Sequence, residues 1–405
     1  MGACCTLESA KAGSSKQSRP TTPKSARRKS ERKSELQVND DATLHDAAWE
    51  GNTNIVRKFL RKGHSPDLPD EEGSTPLHLA AEEGYLEVVK CLVEEGKATC
   101  TDAADSEGNT PLLLAAKEGR EDVVEYFLAK ANLQSPHKAN YEGETPLLCA
   151  VQKGRRSIVK VLLCNKGSAV VDLPNNDGET PLNLAAAKGE TEMVQSLLEG
   201  KAQSIDTPDR LGWTPLLMAS HGGHVGVLRL LLKSSAKSDT PNVTGETPLL
   251  CAAKQGHVEA AKLLLSNQAQ CIDTADRDGN TPLMMAAQFG FAEALRLLIN
   301  RNASIDLCNK ACETALLLAS QEGFLEVVSI LLSNESKATN SPAADGRTPL
   351  IAAARFGYAE VCSLLLEHKA DQSAVIGGSE VVEATGTAVD VARHFGHTEV
   401  LGILV

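Results

Sequence analysis

The chain of 405 residues is short of aromatic side chains, with 2 Trp, 4 Tyr and 7 Phe. That scarcity argues against a nucleic-acid binder that stacks bases on aromatic platforms. Positive charge is also in deficit: 41 Lys+Arg face 53 Asp+Glu, a formal net charge of −12, whereas phosphate binding needs a basic surplus. No apolar run is long enough to span a bilayer as a helix, and no apolar core follows Met1 as a secretory signal requires. Missing too are Gly-x-Ser-x-Gly, a phosphate loop ending in Gly-Lys-Ser/Thr, His-Glu-x-x-His and Cys-x-x-Cys, so an enzyme is not expected. Cysteine occurs 11 times, but an odd number at irregular spacing builds no disulfide framework. From Cys91 onward most are expected to be small buried hydrophobes in a reducing compartment. Cys308 and Cys312 lack the companions that a structural zinc wants, and no metal or cofactor is expected.

What is present divides near residue 39. Residues 1–38 hold nine Lys/Arg against Glu8, Glu31 and Glu35, a charge of +6 that leaves −18 for the remainder. Their large aliphatics are only Leu7, Leu36 and Val38, too little to offset chain entropy, so residues 1–39 are expected to form a disordered basic tail.

Residues 40–405 repeat themselves. A Thr recurs at 75, 110, 145, 180, 214, 247, 281, 314, 348 and 387, and a degenerate first copy begins at Thr43. Eleven units of about 33 residues imply stacked supersecondary elements rather than a closed globule. In Gly73-Ser-Thr-Pro-Leu-His-Leu-Ala-Ala-Glu-Glu-Gly84, Thr75 suits a helix N-cap and Pro76 the first helical position. Leu77, Ala80 and Ala81 share one helical face, and Gly84 suits the left-handed closing residue. A second apolar-striped helix follows at Leu86–Val93. Asp70/Gly73, Asp105/Gly108, Asn140/Gly143, Asp209/Gly212 and Asp276/Gly279 supply turn residues before the next cap.

The motif Gly-x-Thr-Pro-Leu-x-x-Ala-Ala-x-x-Gly resembles that of the ankyrin-repeat family. The resemblance implies an all-α repeat solenoid of helix-turn-helix units with β-hairpin finger loops. The family's usual His after Thr-Pro-Leu is kept as His78 and, in the first copy, His45. Elsewhere stand Leu113, Leu148, Asn183, Leu217, Leu250, Met284, Leu317 and Ile351, expected to exchange hydrogen bonds into the loops for apolar contact.

The resemblance also implies protein partners that dock on the fingertips and on the inner helix just before its closing Gly. The first four fingers carry Glu71, Glu72, Glu107, Glu142, Glu144, Asp177 and Glu179; later fingers are mixed. Two readings stand: an acidic groove for a basic partner, or a solvated surface that keeps a long array soluble. Before the closing Gly stand Phe289, Phe356 and Phe395, and Trp213 follows Arg210 on a finger. These four are candidate anchors for a partner, or else half-buried packing residues. His221-Gly-Gly-His224 looks metal-like, but Gly223 and His224 fill the repeat's own Gly-His slot.

Met1-Gly2-Ala3-Cys4-Cys5-Thr6 fits the N-myristoylation pattern Met-Gly-x-x-x-Ser/Thr. One acyl chain anchors only marginally, so Cys4 and Cys5, as palmitoylation acceptors, and the basic tract on anionic lipid supply the second signal. Ser30 and Ser34 follow Arg/Lys pairs and are candidate phosphorylation sites that would weaken the lipid contact. The expectation is a monomeric, non-enzymatic scaffold, lipid-anchored on the cytoplasmic face of a membrane and recruiting a protein partner. The alternative is a soluble cytosolic or nuclear adaptor for a basic partner, with Arg27-Arg28-Lys29 as its targeting signal.

Overall fold

The Thr-Pro-Leu segments become short helices in a computed structural model that describes residues 43–405 apart from 131–132, 134, 165–170, 268–271 and 377–385. Gly2, Cys4, Cys5, Ser30 and Ser34 lie outside the described residues, as do the tail to residue 42, Cys271 and the loop around Gly377-Gly378. Leu44–Val405 forms one compact unit of paired helices. The inner helices are Leu44–Trp49, Pro76–Glu83, Pro111–Glu118, Pro146–Gln152, Pro181–Ala187, Pro215–His221, Pro248–Lys254, Pro282–Gln288, Ala315–Glu322, Pro349–Phe356 and Ala388–His394, one each for units 1 to 11. Each is followed by an outer helix, from Thr53–Arg61 in unit 1 to Thr398–Leu404 in unit 11. The array is the all-α repeat solenoid that the motif implies.

Local chemistry sets each inner helix. Thr110, Thr145, Thr180, Thr214, Thr247, Thr281, Thr314 and Thr348 sit in extended backbone, and each hydroxyl accepts the N–H three residues on. Helices of two turns do not persist alone in water, so stacking must supply their stability. Ala80, Ala81, Ala115, Ala116, Ala252 and Ala253 are completely buried, which lets successive inner helices approach closely. Each fully buried Leu, such as Leu112 or Leu182, contributes about 1.5–3 kcal/mol.

The fingers are tight turns, where the resemblance implies β-hairpins. Those before units 2 to 10 span five residues closed by two backbone bonds, as where Asp70 N–H donates to Ser74 O at 2.9 Å and Gly73 N–H to Asp70 O at 3.0 Å. Asp70 Oδ1 also accepts from the N–H groups of Glu72 (3.0 Å) and Ser74 (2.8 Å). The same brace recurs at Asp105, Asn140, Asn175, Asp209, Asn242, Asp276 and Asn309. So tight a turn leaves no residues for a ladder. Among the described residues β pairing is limited to the isolated bridges Cys308–Thr314 and Ile376–Gly386.

A second line of contacts joins the units at the glycines that close the inner helices. The residue after each such glycine lies against the glycine of the preceding unit: Tyr85 on Gly51, Arg120 on Gly84, Arg155 on Gly119, His224 on Gly189, His257 on Gly223, Phe291 on Gly256, Phe324 on Gly290, Tyr358 on Gly323 and His397 on Gly357. Arg and His also donate to an inner-helix carbonyl of that unit. Arg120 Nε reaches Glu82 O at 2.8 Å, Arg155 Nε reaches Lys117 O at 3.4 Å, and Nε2 of His224, His257 and His397 reaches Ala187 O, His221 O and Arg355 O at 3.1, 3.0 and 2.9 Å. These carbonyls are orphans at a helix end, and the next unit caps them. Glu190 breaks the line: it pairs with Arg156, nothing lies over Gly154, and Lys188 Nζ donates to Gln152 O instead.

His78 is completely buried. Its Nδ1 accepts from Thr75 N–H at 3.1 Å, and its Nε2–H donates to Ala103 O and Asn109 O, each at 3.1 Å. Asn183 departs from the expected apolar exchange. Its Nδ2 donates to Trp213 O (2.8 Å) and Thr207 O (3.4 Å), the same bridge to the next loop that His78 makes. Burial lowers the His78 pKa below its ordinary 6.5, so the folded ring stays neutral where the unfolded ring takes a proton. Its contribution to stability is therefore complete above pH 6.5 and is lost as pH falls from there through the folded-state value. His78→Leu, the residue that Leu113 and Leu148 already place in this slot, is expected to flatten the loss of thermal stability between about pH 6.5 and 5. Wild type and variant with parallel melting-temperature profiles over that range would contradict this role.

Candidate protein-docking surface

Successive fingers are joined by one backbone bond per pair. Ser106 N–H donates to Glu72 O (2.9 Å), Tyr141 N–H to Glu107 O (3.0 Å), Asn176 N–H to Glu142 O (2.9 Å) and Arg210 N–H to Asp177 O (3.0 Å). The residue two after each finger's Asx position is thus held in register from unit to unit. In the first four fingers that residue is Glu72, Glu107, Glu142 and Asp177, all exposed, with exposed Glu71 beside the first. Unit-to-unit helix stacking sets their separation at about 10 Å. The row then changes character, to Leu211, Thr244 and Asp278 on the following fingers, with Leu211 half exposed.

Two of the acidic candidates turn inward. Glu144 is buried and accepts from Asn140 Nδ2 (3.1 Å) and Cys149 Sγ (3.7 Å). Glu179 is half-buried and accepts from Asn175 Nδ2 at 2.8 Å. Both brace their own finger. The adjoining inner-helix ends carry Lys117, Lys153 and Lys188, so the groove has an acidic rim above lysines.

The aromatic candidates lie at the other end of the array. Phe289 is 46% and Phe356 48% exposed, with exposed Glu322 in the unit between. Phe395 is half-buried, edge-on to His394 at 4.9 Å and stacked on His397 at 6.4 Å. The Arg355 guanidinium stands 5.9 Å from the Phe356 ring centre and 5.5 Å from that of Phe395, and Phe356 stacks on Tyr358 at 6.3 Å. Trp213 does not join them: it is half-buried, edge-on to His221 at 5.4 Å. Burial lowers the His221 pKa, outweighing the nearby Glu246 carboxylate, which raises it.

Cys91, Cys149, Cys251 and Cys362 are buried, but Cys100, Cys164, Cys308 and Cys312 are exposed, so the expectation of mostly buried thiols fails. For two of them the reason is position: Cys308 borders a finger and Cys312 occupies that finger's glycine slot at φ 57°. Burial pushes the Cys149 and Cys362 thiols up to about 12, away from thiolate chemistry. Among the described residues no three His, Cys, Asp or Glu side chains converge to hold a metal ion.

Sequence reasoning missed Arg355 and the residues that cover the glycines. The covering residues left a signal, a column of Tyr, Arg, His and Phe after most closing glycines; Arg355 left none. Comparison with known proteins agrees with the architecture. A family model described as ankyrin repeats matches in overlapping segments, 44–137, 102–173, 129–209, 166–243, 201–275, 234–309 and 283–376. The chain is 46% identical over 50 residues to an ankyrin repeat-containing protein of Schizosaccharomyces pombe, covering 12% of this chain and 24% of that protein. It is 36% identical over 55 residues to human protein phosphatase 1 regulatory subunit 27, covering 14% of this chain and 36% of that protein. It is also 45% identical over 60 residues to delta-latroinsectotoxin-Lt1a of Latrodectus tredecimguttatus, covering 14% of this chain and 5% of the toxin. The chain thus spans only a minor part of the length of these curated relatives.

Proposed function

The chain belongs to the ankyrin-repeat family, and from that premise we propose that it is a lipid-tethered scaffold that recruits a basic protein segment to the cytoplasmic face of a membrane. The observation that carries the recruiting half is the row Glu72, Glu107, Glu142 and Asp177, four exposed carboxylates on consecutive fingers joined backbone to backbone. A segment rich in Lys and Arg meets a line of opposite charge along its length, which steers encounter and fixes register. The row begins at Glu72, at the amino-terminal end of the array and nearest in sequence to the tether.

The tether itself rests on Gly2 as myristate acceptor, Cys4 and Cys5 as palmitate acceptors, and the +6 tract that follows. Phosphate on Ser30 and Ser34 adds about −3 to −4 to that tract and loosens its hold on anionic lipid, leaving retention to the acyl chains. That human protein phosphatase 1 regulatory subunit 27 is by name a regulatory subunit accords with a recruiting rather than a catalytic role. The soluble adaptor is the second reading, favoured by the run Arg27-Arg28-Lys29.

Gly2→Ala separates the two. Expressed in cells, wild type is expected in the membrane fraction and the variant in the soluble fraction. Equal partitioning of both would remove the tether.

A further inference from the structure

Two stretches of the chain, 201–206 and 301–306, share one string: a base, two residues, then Ser-Ile-Asp. The fold sets them out of step by one residue. The left-handed residue shortly after the outer helix is Lys201 in the first and Asn302 in the second, at φ 66° and 65°. Counted from that turn, Ser204 falls where Ile305 packs against the core, and it is buried. Ser304 falls where Gln203 falls, and it is exposed. Gln203 and Ser304 are also the residues whose N–H reaches an Asp of the preceding loop, Asp172 Oδ2 at 2.8 Å and Asp273 Oδ1 at 2.9 Å. Ser304 adds a second bond, from its hydroxyl to Asp273 Oδ2 at 2.6 Å. Exposed Arg301 stands three residues before that hydroxyl, and no other Arg of residues 40–405 has Ser or Thr at this spacing.

We propose that Ser304 is a phosphoacceptor for a basophilic kinase, one that reads Arg three residues before the hydroxyl, and that phosphate there parts two successive loops of the array. Neither the tether nor the acidic fingers enter into it. Residues 301–306 lie between helices, so the kinase meets chain with no helix to unwind. In the reaction Ser304 Oγ attacks the γ-phosphorus of ATP. The Oγ–P bond forms as the bond from phosphorus to the β,γ-bridging oxygen breaks; ADP leaves with that electron pair, and the hydroxyl proton passes to the kinase's base. The product has no hydroxyl proton left for Asp273 Oδ2. It sets a charge of about −1.5 to −2 against a half-buried carboxylate that the Ser304 N–H also needs. Both bonds between the loops are therefore lost. Thr99 and Ser336 make the same hydroxyl bond, to Asp67 at 2.7 Å and Asp306 at 2.8 Å, but Gly96 and Ser333 stand three residues before them. Ser204 has a base at that place, but burial withholds its hydroxyl.

Full-length protein incubated with ATP and a kinase of this specificity, with phosphate mapped by mass spectrometry, tests the proposal. Phosphate is expected on Ser304 and not on Ser204. Its rate of incorporation at Ser304 is expected to fall about tenfold or more with Arg301→Gln. A synthetic peptide with Arg at the same spacing establishes that the kinase is active. Hydrogen exchange at the amides of residues 303–306 reads the consequence. Phosphorylation is expected to speed it about tenfold or more in wild type and not at all in Ser304→Ala, which shares any phosphates elsewhere. The gain is expected to be smaller in Asp273→Asn, which keeps an acceptor for the Ser304 N–H and offers the phosphate an N–H donor. No phosphate on Ser304 with an active kinase, or incorporation indifferent to Arg301→Gln, would overturn the site. Exchange unchanged by phosphate on Ser304, or changed equally in Asp273→Asn, would overturn the parting of the loops. Neither result touches the scaffold reading.

Discussion

Gly256→Ala is expected to lower the unfolding free energy by about 2–4 kcal/mol, whereas Gly154→Ala is expected to cost only about 1 kcal/mol. The two glycines are matched in backbone, with φ of 71° and 70°, so the left-handed penalty for a side chain is common to both. They differ in what lies above. A Cβ on Gly256 would run into the Phe291 ring, while one on Gly154 meets nothing within 4 Å because Glu190 leaves that place uncovered. The ring cannot retreat cheaply, since it is half-buried and packs against the hydrophobic core. The difference between the variants thus isolates the contact of one unit on the next. Denaturant midpoints followed by helical circular dichroism measure it, and equal shifts would show that covering the glycines contributes nothing to stacking.

Reversal of the fingertip row to Lys at Glu72, Glu107, Glu142 and Asp177 is expected to weaken a Lys/Arg-rich peptide by about 1–4 kcal/mol, roughly fivefold to a thousandfold. Each exposed pair contributes little, and the effect comes from four in register plus the repulsion that replaces them. The fold should be indifferent, because the bonds between these fingers use backbone carbonyls and the side chains are exposed. The difference should shrink in 1 M salt, where the screening length falls to about 3 Å. Glu144→Gln and Glu179→Gln supply the contrast. Those carboxylates face Asn140 and Asn175 within their fingers, so peptide affinity should barely change. Titration by fluorescence anisotropy reads all three. An unchanged affinity on fourfold reversal would leave the acidic row as no more than a solubilising surface.

What the sequence reveals and what it hides divide by range. Interactions within about five residues were readable: Thr110 capping Leu113 N–H, Asp105 bracing its finger, Gly84 closing its helix at φ 87°. Each depends on local spacing and residue type alone. Contacts between units were not readable, because their partners lie some 24 to 42 residues away, as for Asn183 with Thr207 O and His397 with Arg355 O. Asn183 therefore read as a lost histidine when it rebuilds the same bridge. The acidic candidates show the same limit: composition cannot tell Glu142, which is exposed, from Glu144, which folds back onto Asn140. Cys312 illustrates a third case: spacing alone said that it lacks the companions for a metal site, but not that it stands in a finger's glycine slot. Arg355 went unnoticed because its meaning comes from two rings in two different units.

The recruiting scaffold is tested most directly by co-sedimentation of a Lys/Arg-rich peptide with neutral vesicles, which have no charge to attract it, bearing the acylated full-length protein. The account predicts that the peptide travels with vesicles carrying wild-type protein and is left behind both when Gly2→Ala prevents acylation and when the fingertip row is reversed. Peptide capture that survives either change would contradict it.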